Sequence, residues 1–428
     1  MKCIVKITIN LGRVAKLNKI VSKSEIRNVI HNAGYMMITQ IALYVAPLFI
    51  LSYLLKTLGV AQFGNYALIL SIVAYLQIIT DYGFSFSASR AISQNREDKE
   101  YISKIYLSTM TIKLAICAFL FLLLMLFLNL LPVQAELKQG ILYGYLLVIG
   151  NTFQPQWFFQ GIEKLKIIAL SNVISRCAAC LLVFIYVRNS EDLQKALLVQ
   201  SLPLVISAIG LNIFILKYIN IIFPEKKLFK VILKEGKDFF LASLYSVILN
   251  NSGIFLLGIF TNPVIVGVYA AAEKIVKAVL SLFTPLTQAI YPYNCRKFSL
   301  SVFDGIEAAK KTGIPIIILA FIAAVIVAIT LPVAIDYLNF PKETIFVGQI
   351  LSAWIFFGVL NNVFGIQILS ASGRSKIYSR MVFVSALITL LLITLLLQFC
   401  NATGVACAIL LGEMFLSILL LKRYKKII

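Results

Sequence analysis

Long apolar runs separated by short polar connections make up most of the chain, and the length of those runs decides the fold class. A helix rises about 1.5 Å per residue and the hydrocarbon layer is about 30 Å thick, so about 20 apolar residues make one crossing. Twelve runs qualify: 35–55, 63–82, 105–131, 141–161, 167–187, 196–216, 239–260, 264–290, 313–335, 344–369, 381–400 and 404–421. Backbone groups find no water inside lipid, so each run is predicted to be a helix rather than a strand or loop. Turns such as Thr261-Asn262-Pro263 and Asn401-Ala402-Thr403 leave no room for a domain on that side.

Charge orients this pattern. With both termini on one side, the segments there carry 30 of the 39 Lys and Arg, and the opposite loops carry only Lys56, Lys138, Arg188, Lys195 and Lys342. The excess of cations marks the cytoplasmic side. Composition agrees: 13% charged residues and a mean hydropathy of +0.93 contrast with about 25% charged in a soluble domain. The net charge of +21 is spread over seven cytoplasmic segments and belongs to orientation, not to a nucleic-acid-binding patch.

The longest internal connection, with Lys226, Lys227, Lys230, Lys234 and Lys237, divides the runs six and six. The predicted organisation is a basic cytoplasmic leader (1–30), an N-terminal six-helix lobe (31–218), a cytoplasmic linker (219–238), a C-terminal six-helix lobe (239–421) and a basic tail (422–428). The leader lacks the apolar core of a cleavable signal. It reads as an amphipathic segment on anionic lipid, with a start downstream of residue 22 as the alternative. Phe63-Gly64-Asn65-Tyr66 and Val266-Gly267-Val268-Tyr269 open the second run of each half. An even number of crossings per half makes this a parallel repeat, related by an axis along the membrane normal.

Material for catalysis is scarce. The single histidine, His31, sits at the edge of the first run, and no phosphate loop, H-E-x-x-H or G-x-S-x-G is present. The seven cysteines are odd in number and mostly apolar in setting, which argues against a disulfide framework. Cys177 and Cys180 read as small packing residues before a redox or metal pair. No cofactor or metal is expected.

Charges inside apolar runs are the better lead, because each is costly at the bilayer centre. They are Asp81, Glu273 and Glu413, and Arg176, Lys274 and Lys277, with Lys113 nearer a boundary. Glu273 and Lys277 are four apart and share a helix face, where they can neutralise each other. Lys274 points about 100° away, placed either for an anionic substrate or for a carbonyl or acid on a neighbouring helix. Glu413 could be that acid, a proton-binding group or a packed carboxyl. Asp81 and Arg90 read as interfacial groups. Pro47, Pro155, Pro203, Pro285 and Pro315 interrupt runs and free carbonyls there. The fourth run ends on Pro155-Gln156-Trp157-Phe158-Phe159-Gln160-Gly161-Ile162-Glu163-Lys164. An aromatic belt accounts for Trp157 and Phe158, but not for the flanking amides Gln156 and Gln160.

That segment resembles the O-antigen flippases, the polysaccharide branch of the multidrug/oligosaccharidyl-lipid/polysaccharide flippase superfamily. So do Leu58-Gly59-Val60-Ala61-Gln62-Phe63-Gly64-Asn65-Tyr66 with Asp81-Tyr82-Gly83-Phe84 and Ser87-Ala88-Ser89-Arg90. The third stretch is Val266-Gly267-Val268-Tyr269-Ala270-Ala271-Ala272-Glu273-Lys274-Ile275 with Ala289-Ile290-Tyr291-Pro292-Tyr293. The resemblance implies an all-α, V-shaped bundle of six plus six helices working by alternating access in a bacterial inner membrane. The implied cargo is an undecaprenyl-pyrophosphate-linked oligosaccharide, moved from the cytoplasmic to the periplasmic leaflet. Ion-gradient coupling, an O-antigen polymerase and a chain-length regulator belong to the same picture. Lys274, Arg176, Gln156, Trp157, Phe158, Gln160 and Arg90 are then candidate substrate contacts. Asp81, Glu273, Lys277 and Glu413 are candidate coupling or structural charges. A multidrug or cation antiporter of the same superfamily is the alternative, and calls for acids in the cavity. A glycan polymerase or acyltransferase calls for a large outside loop or a catalytic histidine, and the sequence supplies neither.

Overall fold

The computed structural model describes residues 23–130, 134–222 and 226–426. Most of the predicted leader lies outside them, and the side chains before Ile50, His31 included, are outside the described set. In chain order the helices are α1 (Lys23–Asp81), α2 (Phe84–Gln94), α3 (Lys99–Leu130), α4 (Ala135–Phe153), α5 (Gln156–Gly161), α6 (Leu165–Tyr186) and α7 (Leu193–Ile215). They continue as α8 (Lys226–Phe260), α9 (Pro263–Ser281), α10 (Phe283–Leu300), α11 (Val302–Tyr337), α12 (Glu343–Asn362) and α13 (Ser375–Lys425). A π-helical segment, Val363–Ser370, prolongs α12.

All twelve predicted runs map onto helix, though not one to one. By length and hydropathy, seven helices of the described residues can cross a bilayer, or eight when the bent pair Phe239–Tyr245 and Asn250–Phe260 counts as one span. The difference comes from breaks and mergers. α1 carries two runs across a break at Gly59 (φ 71°, ψ 174°), a backbone state that glycine reaches without steric cost. α13 carries two across Asn401 (φ 45°, ψ −125°). The run 264–290 is divided instead, because Pro285 cannot accept the ring-to-carbonyl clash four residues back, and the helix stops at Ser281. Pro155 likewise stands between α4 and α5. Pro203 and Pro315 lie inside continuous helices.

Outward faces are apolar. In α11 only 22% of the most apolar window is buried, and Leu319, Phe321, Ile326 and Ile329 all face outward. Such a surface would aggregate in water and is at home in lipid, where every backbone group is already paired within its helix.

The helices form two groups. In the first, α1 packs on α6, α4 and α7; in the second, α12 packs on α11, α13 and α9. The groups meet where α1 crosses α9. A Cβ added at Gly64 would overlap the Pro263 carbonyl oxygen, and one added at Gly267 would overlap the Val60 carbonyl oxygen. Gly64 and Gly267, with Val60 and Pro263, thus exchange roles across the contact. That reciprocity is the geometric form of the repeat read in Phe63–Tyr66 and Val266–Tyr269. The absent side chains let the two backbones touch.

A second crossing lies at the end of the bundle that carries the basic connections. Gly83 (φ +76°) abuts Gly236 and Phe239 of α8. Tyr82 stacks on Phe240 with centroids 4.9 Å apart, and Phe86 on Phe239 at 5.4 Å.

Candidate functional site

Between the two crossings lies a cavity of about 520 Å³, walled by α1, α4, α6, α7 and α9. Three cations reach it: Arg176, Lys274 and Lys277. Arg176 lies eleven residues into α6 and Lys274 eleven into α9, about 16 Å along each helix. These charges therefore sit at the depth where ions are most expensive.

The two lysines are held differently, and Arg176, exposed on α6, makes no ion pair among the described residues. Lys277 Nζ lies 3.1 Å from Glu273 Oε1 and donates to the Asn250 backbone carbonyl at 2.7 Å. Glu273 is buried and also accepts from the Tyr269 hydroxyl at 3.2 Å. The four-residue spacing accordingly yields one ion pair. Lys274 makes no ion pair among the described residues. Its ammonium stands over the rings of Tyr66 (5.0 Å) and Phe63 (5.4 Å), a contact that gives back about 2 kcal/mol when desolvated, a small return on burying a charge. Tyr66 is fixed in turn by donating to Gln200 Oε1 at 2.9 Å. One carboxylate against three cations leaves the chamber with an excess of positive charge, which an anion would neutralise.

Glu413 is elsewhere. It lies in a second cavity of about 830 Å³ among α8, α10, α12 and α13, where Trp354 Nε1 donates to one oxygen (3.0 Å) and Asn361 Nδ2 to the other (2.7 Å). Ser417 donates to Asn361 Oδ1 at 2.7 Å and locks the amide. It is therefore not the acid opposite Lys274. The two cavities adjoin at Lys277, whose ammonium lies 5.4 Å from the Trp354 ring centroid.

The other predicted site residues stand apart from both cavities. Asp81 pairs with the buried Lys113 at 3.1 Å and accepts from the Ser85 hydroxyl at 2.8 Å and the Ser85 backbone N–H at 3.4 Å, which ties it to α3 and to the first turn of α2. Arg90 is exposed on α2. Trp157, Phe158 and Phe159 are buried, packed against Tyr106 and Phe214, because the α4–α5 break at Pro155 turns the aromatics back into the bundle. Gln156 is exposed and Gln160 half-buried. Glu163, just beyond, pairs with Arg96, which also donates to the Gly161 carbonyl at 3.0 Å. The hydrogen bond from Arg96 holds the Glu163 carboxyl below the usual carboxylate range. Cys177 is exposed and Cys180 half-buried on α6, and no cluster among the described residues could hold a metal.

Tyr66, Gln200 and Asn250 were not anticipated as site residues. Gln200, an amide within the run 196–216, was the available signal; Tyr66 was visible only as part of a repeat.

The fold and the cationic chamber define a multi-pass membrane protein whose two helix groups enclose a charged compartment at mid-depth. The chain belongs to the family described as polysaccharide biosynthesis protein, which it matches over residues 29–296. It is 28% identical over 401 residues to the "Putative O-antigen transporter" of Escherichia coli (strain K12), covering 91% of this chain and 95% of that one. In fold it is similar to the lipid II flippase MurJ in an inward closed conformation (TM-score 0.70, 15% identity, 92% of this chain and 87% of that). It is also similar to an inward-facing multidrug resistance transporter of the MATE family and MOP superfamily (TM-score 0.69, 14% identity, 91% and 94%).

Proposed function

We propose that the chain is a flippase that carries an undecaprenyl-pyrophosphate-linked O-antigen or polysaccharide repeat unit from the cytoplasmic to the periplasmic leaflet by alternating access. The observation that carries this reading is the chamber of Arg176, Lys274 and Lys277 set against Glu273 alone. A pyrophosphate brings the anionic charge that three mid-depth cations need. A cation antiporter needs the opposite sign, so the same chamber disfavours the multidrug reading.

Several elements complete the proposal. The moving units are the lobes 31–218 and 239–421, joined by the linker 219–238. Thirty of 39 cations on one side orient both termini to the cytoplasm, in the inner membrane, where the linker lysines collect an anionic lipid. Glu413, held by Trp354 and Asn361, is the carboxylate placed for coupling to an ion gradient. A polymerase and a chain-length regulator are the protein partners to test.

The test is complementation of a deletion strain. Lys274→Ala and Arg176→Ala should each lower surface polysaccharide and strand lipid-linked repeat units inside, at unchanged membrane abundance. Full complementation by both variants, or a deletion that leaves surface glycan intact, would overturn the proposal.

A further inference from the structure

The larger cavity is the part of the molecule that a flippase of bare lipid pyrophosphate would not need. It is a partly open cleft lined by α8, α10, α12 and α13 and separated from the cationic chamber by α9, with Lys277 and Ala278 on the chamber side and Leu280 on the other. Its volume, about 830 Å³, falls in the range of organic-ligand sites. Beside aliphatic side chains, its lining brings together aromatic rings and neutral hydrogen-bonding groups, among them Tyr245, Phe283, Thr284, Trp354 and Asn362. A sugar has apolar C–H faces and a rim of hydroxyls, and that pairing of surfaces matches it. A pyrophosphate would find only Arg380 among the lining cations.

Two features show a built wall. The Trp354 indole is pinned by its hydrogen bond to Glu413, which is held by Asn361, itself bonded by Ser417. The same indole ring lies 5.4 Å from the Lys277 ammonium, so the wall of the larger cavity meets a cation of the chamber. Asn250 does the same, lining the larger cavity while its carbonyl accepts from Lys277.

Resting on the flippase reading, we infer that this second cavity is the glycan compartment. The pyrophosphate sits among Arg176, Lys274 and Lys277, and the first sugars of the repeat unit pass Lys277 to lie against Trp354, Thr284 and Asn362. Cargo selection then resides in the C-terminal helices, and anion binding is shared between the groups.

Binding to the purified full chain in detergent tests the assignment, using undecaprenyl pyrophosphate without sugar and the lipid-linked repeat unit extracted from the host. The sugar-bearing lipid is expected to bind roughly tenfold tighter, a factor that corresponds to about 1.4 kcal/mol, and to change a tryptophan emission that Trp354→Phe abolishes. Asn362→Ala should bring the affinity ratio of the two lipids close to one, and Thr284→Val supplies the same test if that variant does not fold. Equal affinities, an emission change of the same size with the bare lipid, or a ratio unmoved by both variants would overturn the compartment while leaving the flippase reading intact. Failure of both lipids to bind, or binding indifferent to Lys274→Ala and Arg176→Ala, would overturn both.

Discussion

At the scale of single residues, some charges inside the helices are paired and others, Lys274 among them, make no ion pair among the described residues. Lys113 is 2% exposed and held by Asp81. Removing one partner of a buried pair leaves the other charge stranded, at a cost of about 3–5 kcal/mol. Asp81→Asn should therefore lower the melting temperature and the membrane abundance, and the double variant Asp81→Asn/Lys113→Met should regain most of both. Lys274 differs, because its ammonium is met by rings alone among the described side chains; truncating it should cost function before stability. Asp192 allows a test of pH. The Lys195 ammonium, followed by the Arg188 and Asn189 backbone N–H groups at 2.9 and 3.0 Å, holds its carboxyl below the ordinary value. A depressed carboxyl stabilises the fold fully above its unfolded pKa of about 4 and loses that contribution as pH falls through the lower folded value. Wild-type protein should lose about 1 kcal/mol over that acidic window, the net worth of a typical hydrogen bond. Asp192→Asn should lose it at neutral pH and show no such acid step in a melting series.

At the scale of elements, breaks matter as much as helices. The turn at Gly59 and the start of α9 at Pro263 bring Gly64 and Gly267 into backbone contact. Neither position can accept a branched side chain, since the atom it would strike is a backbone carbonyl and cannot rotate away. Gly267→Val should part α1 from α9 and abolish export, with a larger loss of abundance than Gly210→Val, where a Cβ meets nothing within 4 Å. Immunoblots of membranes from the two strains would read the difference. The break at Pro155 shows how an element can redirect a motif. In the linear pattern, Trp157 and Phe158 with Gln156 and Gln160 resemble a sugar-binding set. The reversal of the chain packs the aromatics into the first helix group, and the amides end up in neither cavity.

At the scale of the whole molecule, the two groups of helices touch at both ends of the intervening chamber. The contact at the basic end is made by Tyr82 and Gly83 against Gly236, Phe239 and Phe240. It combines close backbone approach with stacked rings and contains no ion pair among the residues named. Alternating access requires this contact to open. Cysteines at Tyr82 and Phe240, in a background free of the seven native cysteines, joined by a short reversible thiol linker, should halt export. Cleaving the linker should restore it, and an equally linked pair within α13 should have no effect. Export that persists with Tyr82 and Phe240 joined would place the moving contact elsewhere.

The membrane class, the helical runs, the excess of cations on one side and the repeat between Phe63–Tyr66 and Val266–Tyr269 were all legible in one dimension. They are properties of local composition and spacing, set by the cost of unpaired backbone and of charge in lipid. The i,i+4 pair of Glu273 and Lys277 was legible for the same reason. Which charges share a chamber was not, because it depends on how α6 and α9 rotate about their axes and on where α1 bends. Residues 98 positions apart, Arg176 and Lys274, come to line one space only after the helices have packed. The pairing of Asp81 with Lys113, the burial of Trp157 and the separation of Glu413 from Lys274 are decisions of the same kind. Sequence settled what each segment must be in lipid; tertiary packing decided which side chains meet, since that follows from crossing geometry between segments far apart in the chain.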